Sequence, residues 1–262
     1  INSIYDEGTP SFSADGSRMY YTYCPQDSTN SKPAVIRFAQ RGDGAWGDGA
    51  ELVINNRDTT KIYAHPAVDE SGEYLYFVSD MAGGFGGKDI WRAKLFGDAV
   101  EYVENMGSAI NTAGDEMFPY MRNDSTLYFS SDGHVGMGGL DIYKAVYSKK
   151  QKAWTVENIK SPINSSSDDF GITFEGRKER GFFSSNRGDA RGYDHIYSFD
   201  YPTLKTSIEG YVVDKDDEFV PNVTVRIAGK DGTNLKTQAK DNGTYTFDIN
   251  KGTDYVLLAS AA

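Results

Sequence analysis

Three groups of residues in this chain have the types and spacing to do chemistry. The run Gly83-Gly84-Phe85-Gly86-Gly87-Lys88 carries the glycines and lysine of a phosphate-cradling loop. Such a loop needs Ser or Thr after the lysine and a helix whose N-terminus faces the phosphate. Here Asp89 follows Lys88, and an acid at that place repels a phosphate. The run reads instead as a turn in which several glycines supply positive φ. The second group is the paired acids Asp6-Glu7, Asp115-Glu116 and Asp168-Asp169. A two-carboxylate hydrolase needs its acids about 5–10 Å apart across a cleft. A pair repeated at equivalent places is more simply a repeated turn, with an acidic partner-binding rim as the second reading.

Asp89, Asp141 and Asp194 form the third group, each just ahead of an Ile-aromatic segment. Their expected role is structural: a carboxylate that accepts backbone N–H groups from the turn it closes. Calcium capture by Asp80 with Asp89, or Asp132 with Asp141, is the alternative, although the spacing is not that of an EF-hand. His65, His134 and His195 share no position in the repeat described next. The chain has no His-x-x-x-His, no Gly-x-Ser-x-Gly and no cysteine–histidine cluster. Ser130-Ser131 and Ser184-Ser185 lack a positioned base. The expectation is no catalytic set, no metal and no cofactor.

The elements that position these residues recur. Phe77-Val-Ser-Asp80, Phe129-Ser-Ser-Asp132 and Phe183-Ser-Ser-Asn186 each lead through a glycine-bearing loop to Asp89-Ile-Trp91, Asp141-Ile-Tyr143 and Asp194-His-Ile-Tyr197. The three phenylalanines stand 52 and 54 residues apart. Ile1-Asn2, Ile54-Asn55, Ile110-Asn111 and Ile163-Asn164 mark four units. The acid pair is absent from the second, where Thr59-Thr60-Lys61-Ile62 stands instead.

Each unit reads as four strands. The first follows the Pro position (11–13, 67–68, 120–121, 172–174) and a tight hairpin, such as Ala14-Asp15-Gly16-Ser17, leads out of it. The aromatic second strand covers 19–23, 74–78, 127–130 and 181–184, and the third 35–38, 90–93, 142–145 and 196–199. A fourth follows in three units, at 50–53, 100–103 and 154–156. Four short strands per unit of about 50 residues describe a β-propeller blade. A tandem array of small sandwiches fits less well, because one blade buries both faces only between neighbours. The fourth unit lacks an outer strand, which a segment upstream of Ile1 would supply, and further blades could lie upstream.

From Leu204 the pattern changes. Residues 208–214, 221–227 and 243–249 alternate with period 2, and 255–258 are apolar throughout. Turns at 215–218, 229–232 and 240–243 separate them, which describes a small Greek-key sandwich. The expected division is 1–203 and 204–262.

Composition narrows the classes. Tyr (18), Phe (14) and Gly (28) suit an all-β chain of 262 residues. The net charge of -11 argues against nucleic acid, whose phosphates need a basic face. No apolar run reaches the roughly 18 residues of a membrane helix, so no direct membrane insertion is expected. Cys24 is alone, so no disulfide forms within the chain; it reads as a small buried thiol, with lipidation or catalysis as the lesser reading. The ends, Ile1 and Ala262, read as those of a piece cut from a longer protein.

The blade pattern resembles the PD40 ("WD40-like") repeats of TolB-type propellers over residues 1 to about 202. The first copy departs: Cys24 to Pro33 replaces the Gly-rich loop and Ala34-Val-Ile-Arg37 replaces Asp-Ile-Tyr. The tail's Ile208-x-Gly-x-Val, Pro221-x-Val-x-Val and Asp241-x-Gly-x-Tyr-x-Phe look like a carboxypeptidase regulatory-like domain. That pair in that order is similar to the middle of OmpA-family periplasmic proteins of Bacteroidetes. There, tetratricopeptide repeats precede it and a peptidoglycan-binding domain follows, a layout found in the type IX secretion system.

The resemblance implies a non-catalytic scaffold in the periplasm, associated with the outer membrane. Its protein partners would belong to an envelope or secretion complex, with peptidoglycan reached only through domains outside this chain. No functional residue transfers from either family.

On a rigid ring, binding is expected on long variable loops. Loops 81–88, 133–140 and 186–193, with connectors 55–65, 111–118 and 164–170, form the expected contact face. Its candidate residues are Phe85, Lys88, His134, Met137, Arg187, Arg191 and Tyr193. Two other classes remain: a propeller that gates a hydrolase, and a glycan or muropeptide module using Trp91, Trp154 and Tyr143.

Overall fold

Short runs of aromatic and β-branched residues between Gly and Asp turns favour strands, and every regular element among the described residues is a strand. The structure, a computed structural model, describes residues 3–25, 32–54, 58–201, 206–250 and 253–260. Ile1-Asn2, Asn55, residues 26–31 of the first unit's replaced loop and the 203/204 junction lie outside these. The chain divides into two compact units, Ile1–Tyr201 and Pro202–Ala262.

The first unit holds four consecutive antiparallel sheets. Blade 1 comprises β1 (Asp6–Phe12), β2 (Arg18–Cys24), β3 (Val35–Gly42), β4 (Ala45–Trp46) and β5 (Ala50–Glu51). Blade 2 is β6 (Ala64–Val68), β7 (Tyr74–Ser79), β8 (Asp89–Phe96) and β9 (Ala99–Asn105). Blade 3 is β10 (Glu116–Asn123), β11 (Thr126–Ser131), β12 (Asp141–Ser148) and β13 (Ala153–Asn158). Blade 4 has β14 (Asp169–Phe174), β15 (Arg180–Ser185) and β16 (His195–Asp200). Within each blade the strands pair in chain order, except that β5 of blade 1 pairs with β3 rather than with β4, and the first strands β1, β6, β10 and β14 lie side by side. That is propeller architecture: an all-β array with its inner strands around one axis.

Two strand expectations need correction. The inner strands of blades 1, 3 and 4 begin at the acid pair rather than after the Pro position, and all four pass through a bulge. Register shifts fall at Gly8/Ser11, Ala64/Ala67, Met117/Tyr120 and Phe170/Thr173. At each bulge one residue takes positive φ: Thr9 (47°), His65 (49°), Phe118 (53°) and Gly171 (65°). In blades 1 to 3 the bulge absorbs Pro10, Pro66 or Pro119, which has no N–H for a ladder, and blade 4 keeps the bulge at Gly171 without a proline. The outer strand of blade 1, expected at 50–53, is two short pieces instead, β4 and β5, both paired with β3. Gly47 and Gly49 lie between the two pieces.

Side chains alternate across a strand, so each blade sends one set of residues to each neighbour. Tyr20, Ile36 and Phe38 of blade 1 pack on Leu75, Phe77 and Trp91 of blade 2. Val78 and Ile90 meet Leu127, Phe129 and Tyr143. Tyr128 and Ile142 meet Ile172, Phe174 and Phe183. Phe77 and Phe129 are fully buried, each worth about 1.5–3 kcal/mol of apolar burial.

The second unit contains β17 (Thr206–Tyr211), β18 (Thr224–Gly229), β19 (Asn234–Gln238), β20 (Thr244–Ile249) and β21 (Tyr255–Ser260). One sheet is β17-β20 and the other β19-β18-β21, and β19 is a strand the sequence pattern did not announce. Val225, Ile227 and Phe247 from the two sheets share a core with Ile208 and Tyr255.

Candidate functional site

The loops between the second and third strands are built on a buried carboxylate. Ser79 pairs with Asp89 and Ser131 with Asp141 at the loop bases. Asp89 is 1% exposed and accepts the backbone N–H of Phe85 at 2.6 Å and of Gly86 at 3.3 Å, with the Asn105 amide at 2.7 Å. Asp141 is fully buried and accepts Met137 N–H at 2.5 Å and Gly138 N–H at 3.0 Å. A charged acceptor holding several amides makes a stiff loop. Phe85 and Met137 therefore occupy one register position, and their side chains are 51% and 50% exposed.

Asp194 does not belong to this set. Ser185 pairs with His195, so His195 stands where Asp89 and Asp141 stand, and Asp194 is exposed before the strand. Asp189 organises this loop instead, accepting Arg191 N–H at 2.8 Å and meeting His195 Nε2 at 2.9 Å. The Arg191 and His195 side chains hold its carboxyl well below the usual range.

The double glycines have a cause other than the expected one. In 80–88 only Gly83 has positive φ. At Gly86 a Cβ would lie 2.4 Å from the Thr112 and Ala113 backbone, and at Gly138 2.0 Å from the Ser167 carbonyl. Each loop is pressed onto the next blade's connector, so loops and connectors share one end of the unit. The bond from Gly87 N–H to Gly114 O, 2.9 Å, seals that contact.

The acid pairs split into two duties. The first acid staples blades together: Asp115 accepts Lys88 N–H at 2.8 Å and its ammonium at 2.5 Å, and Asp168 accepts Leu140 N–H at 2.9 Å. The second closes its own turn. Glu116 accepts Thr112 N–H and hydroxyl and the Ser131 hydroxyl, while Asp169 accepts the N–H and hydroxyl of Ser165. Glu7 with Ser3 repeats the turn in blade 1. Of the cation candidates, Asp80 is turned to Ile62 N–H and Asp132 to Asp115 N–H, away from the loop amides that Asp89 and Asp141 hold. Among the described residues no three His, Cys, Asp or Glu are placed to hold a metal.

The seven candidate residues sort by what they touch. Lys88 pairs with Asp115, and His134 Nε2 lies 2.8 Å from Ile110 O against Tyr143. Arg187 bonds Pro162 O, Ile163 O and Asp169 over the rings of Phe183 and Tyr197. These three are spent within the ring. Phe85, Met137, Arg191 and Tyr193 project outward, joined by Val135 at 94% exposure. Sequence reasoning gave no role to Asn111 and Asn164. Each clamps the third strand of the preceding blade through both its amide groups, on Ile90 and Ile142. Their recurrence after Ile was the available signal.

At the opposite end, hairpins 14, 69–70 and 176–177 open on an axial cavity of about 760 Å3 lined by the inner strands, with His65 and Phe118 in its wall. Burial, with Lys88 adding to it, pushes the His65 pKa down to about 4. Trp91 and Tyr143 are buried and Trp154 packs beside Tyr143, so the glycan-binding set serves the blade core.

No known family profile matches the chain, and no curated protein does. Among solved structures it is similar to TolB from Acinetobacter baumannii at 13% identity and TM-score 0.48, over 93% of this chain and 54% of that one. Prolyl oligopeptidase B from Galerina marginata aligns at 13% identity and 0.47, over 88% of this chain and 38% of that one. An arabinanase from Bacillus subtilis aligns at 13% and 0.46, over 74% and 72%. The chain thus spans about half of TolB and less of the peptidase.

Proposed function

We propose that this chain is a non-catalytic protein-binding module whose contact surface is the end bearing the second-to-third-strand loops. What supports the reading is the register match of Phe85 and Met137. Two large apolar side chains, each half-exposed, stand on loops fixed by buried carboxylates. Exposed apolar groups on rigid supports cost little ordering on binding. Tyr193, with Arg191 over its ring at 4.8 Å, extends the series to blade 4. The finer reading follows the PD40 and regulatory-domain motifs: a periplasmic scaffold at the outer membrane, with a partner from an envelope or secretion complex and peptidoglycan reached through other domains.

A photo-crosslinking residue placed at Phe85, Met137 or Phe96 in the producing cell tests this. Phe96 is 79% exposed as the last residue of β8, at the other end of its blade. The same adduct from positions 85 and 137, absent from 96, is expected. No adduct from 85 and 137, or an equal one from 96, would sink the reading.

A further inference from the structure

We infer that the outward face of blade 4 is an inter-blade face whose occupant is a further copy of this repeat, supplied by the same polypeptide outside residues 1–262. Two exposed side chains of blade 4 stand in register with buried ones of blades 2 and 3. Counted from the paired serines 79, 131 and 185, Phe182 stands where Tyr76 and Tyr128 stand, and Ile196 where Ile90 and Ile142 stand. Tyr76 is 4% and Tyr128 8% exposed, and both isoleucines are fully buried. Phe182 is 55% and Ile196 78% exposed.

In blades 2 and 3 the cover comes from the following unit. Leu127 and Phe129 lie over Val78 and Ile90, while Ile172 and Phe183 lie over Tyr128 and Ile142. The following connector also clamps the strand, Asn111 on Ile90 and Asn164 on Ile142. Among the described residues no clamp reaches Ile196. The face of blade 4 thus continues two interfaces already formed, one repeat further on.

A single added strand is not enough. A strand paired along β16 lies in the plane of the sheet about 4.8 Å away, whereas a sheet covering the face stands about 10 Å off it. Phe182 sits on β15, one strand in, and points off the plane. Only a packed sheet covers both Phe182 and Ile196. Blade 1 does not offer that sheet a matching bare face. Its residues on the side away from blade 2, Met19, Tyr21 and Ala39, are already buried under Tyr23 and Trp46. The array has a self-covered first blade and an uncovered last one. Terminal units of a repeat array normally carry their own cap, so blade 4 reads as an interior unit.

Thiol accessibility tests this. In a Cys24→Ser background, Ile196→Cys and, separately, Phe182→Cys are labelled with a maleimide, in residues 1–262 and in the polypeptide as its gene encodes it. The expected result is fast labelling of the 262-residue chain. In the longer chain labelling should slow at least tenfold, by the same factor at all protein concentrations. Equal rates in the two chains, or protection already present in residues 1–262, would overturn the inference. Protection that grows with protein concentration would also overturn it, in favour of a second copy.

Discussion

The backbone N–H of Phe118 donates to Nδ1 of His65 at 3.3 Å, and the two rings lie 4.0 Å apart at 16°. The contact is one link of a belt through all four blades. Thr9 and Thr22 share a hydroxyl bond at 2.6 Å, His65 N–H donates to Thr22 Oγ1 at 2.8 Å, and Phe118 lies 4.9 Å from the Phe170 ring. The accepting nitrogen requires a neutral imidazole with its proton on Nε2. Burial, helped by the Lys88 cation, lowers the His65 pKa from 6.5 to about 4. The unfolded chain therefore binds the extra proton first, and stability present above pH 6.5 is lost as pH falls towards 4. The shift limits this to about 3 kcal/mol. Urea unfolding at pH 7.5 and 4.5 should show a smaller pH effect in His65→Phe than in the parent. The same pH effect in both would remove His65 as its source.

Gly86 and Gly138 are glycine because backbone from the next blade occupies the Cβ position. Gly86→Ala should cost about 1–3 kcal/mol or more through overpacking. Gly72 is a control with positive φ (73°) and open space around it, so Gly72→Ala should cost about 1 kcal/mol or somewhat more in backbone strain alone. Denaturant midpoints compare them. A Gly86→Ala variant no worse than Gly72→Ala would mean the loop is not held against its neighbour.

Asp89→Ala removes the acceptor of two loop amides and of Asn105 Nδ2. The expected loss is about 2–4 kcal/mol, since each bond to a charged group is worth about 1.5–3. Asp194→Ala, at an exposed position one residue out of register, should stay within about 0.5 kcal/mol. Thermal melts of the two variants decide whether the register argument is right. Similar losses would restore Asp194 to the repeated set.

The blades were legible because local turn chemistry repeats: Asp15-Gly16 and Ser71-Gly72 set hairpins, and Phe77, Phe129 and Phe183 mark the buried strand. What stayed hidden is non-local. One inserted residue separates Asp194-His195-Ile196 from Asp89-Ile90, and only the pairing of Ser185 with His195 shows which residue took the buried place. The acids of a pair look alike in sequence, yet Asp115 reaches back to Lys88 while Glu116 turns inward to Ser131. The Gly86-Gly87 pair suggested torsional freedom, whereas its cause is the approach of a connector some 26 residues later. The candidate face was readable as loops, but which side chains remain outward depends on partners from the next blade.

Arg187 makes that last point testable. As an expected contact residue it would be dispensable for folding. Instead its guanidinium reaches two connector carbonyls, the Ser185 hydroxyl and the fully buried Asp169. Removing the cation strands a buried carboxylate, and breaking such a pair costs about 3–5 kcal/mol. Arg187→Ala should therefore lose stability on that scale. Arg187→Lys keeps the charge but loses the planar fork that serves four acceptors and the stacking on Phe183 and Tyr197, so it should recover only part of the loss. The Ala variant should also unfold more readily at low salt than a variant at exposed Arg191, whose partner Asp189 lies in the loop itself. If Arg187→Ala unfolds within about 0.5 kcal/mol of the parent, the range of ordinary surface changes, Arg187 is free to serve a partner after all.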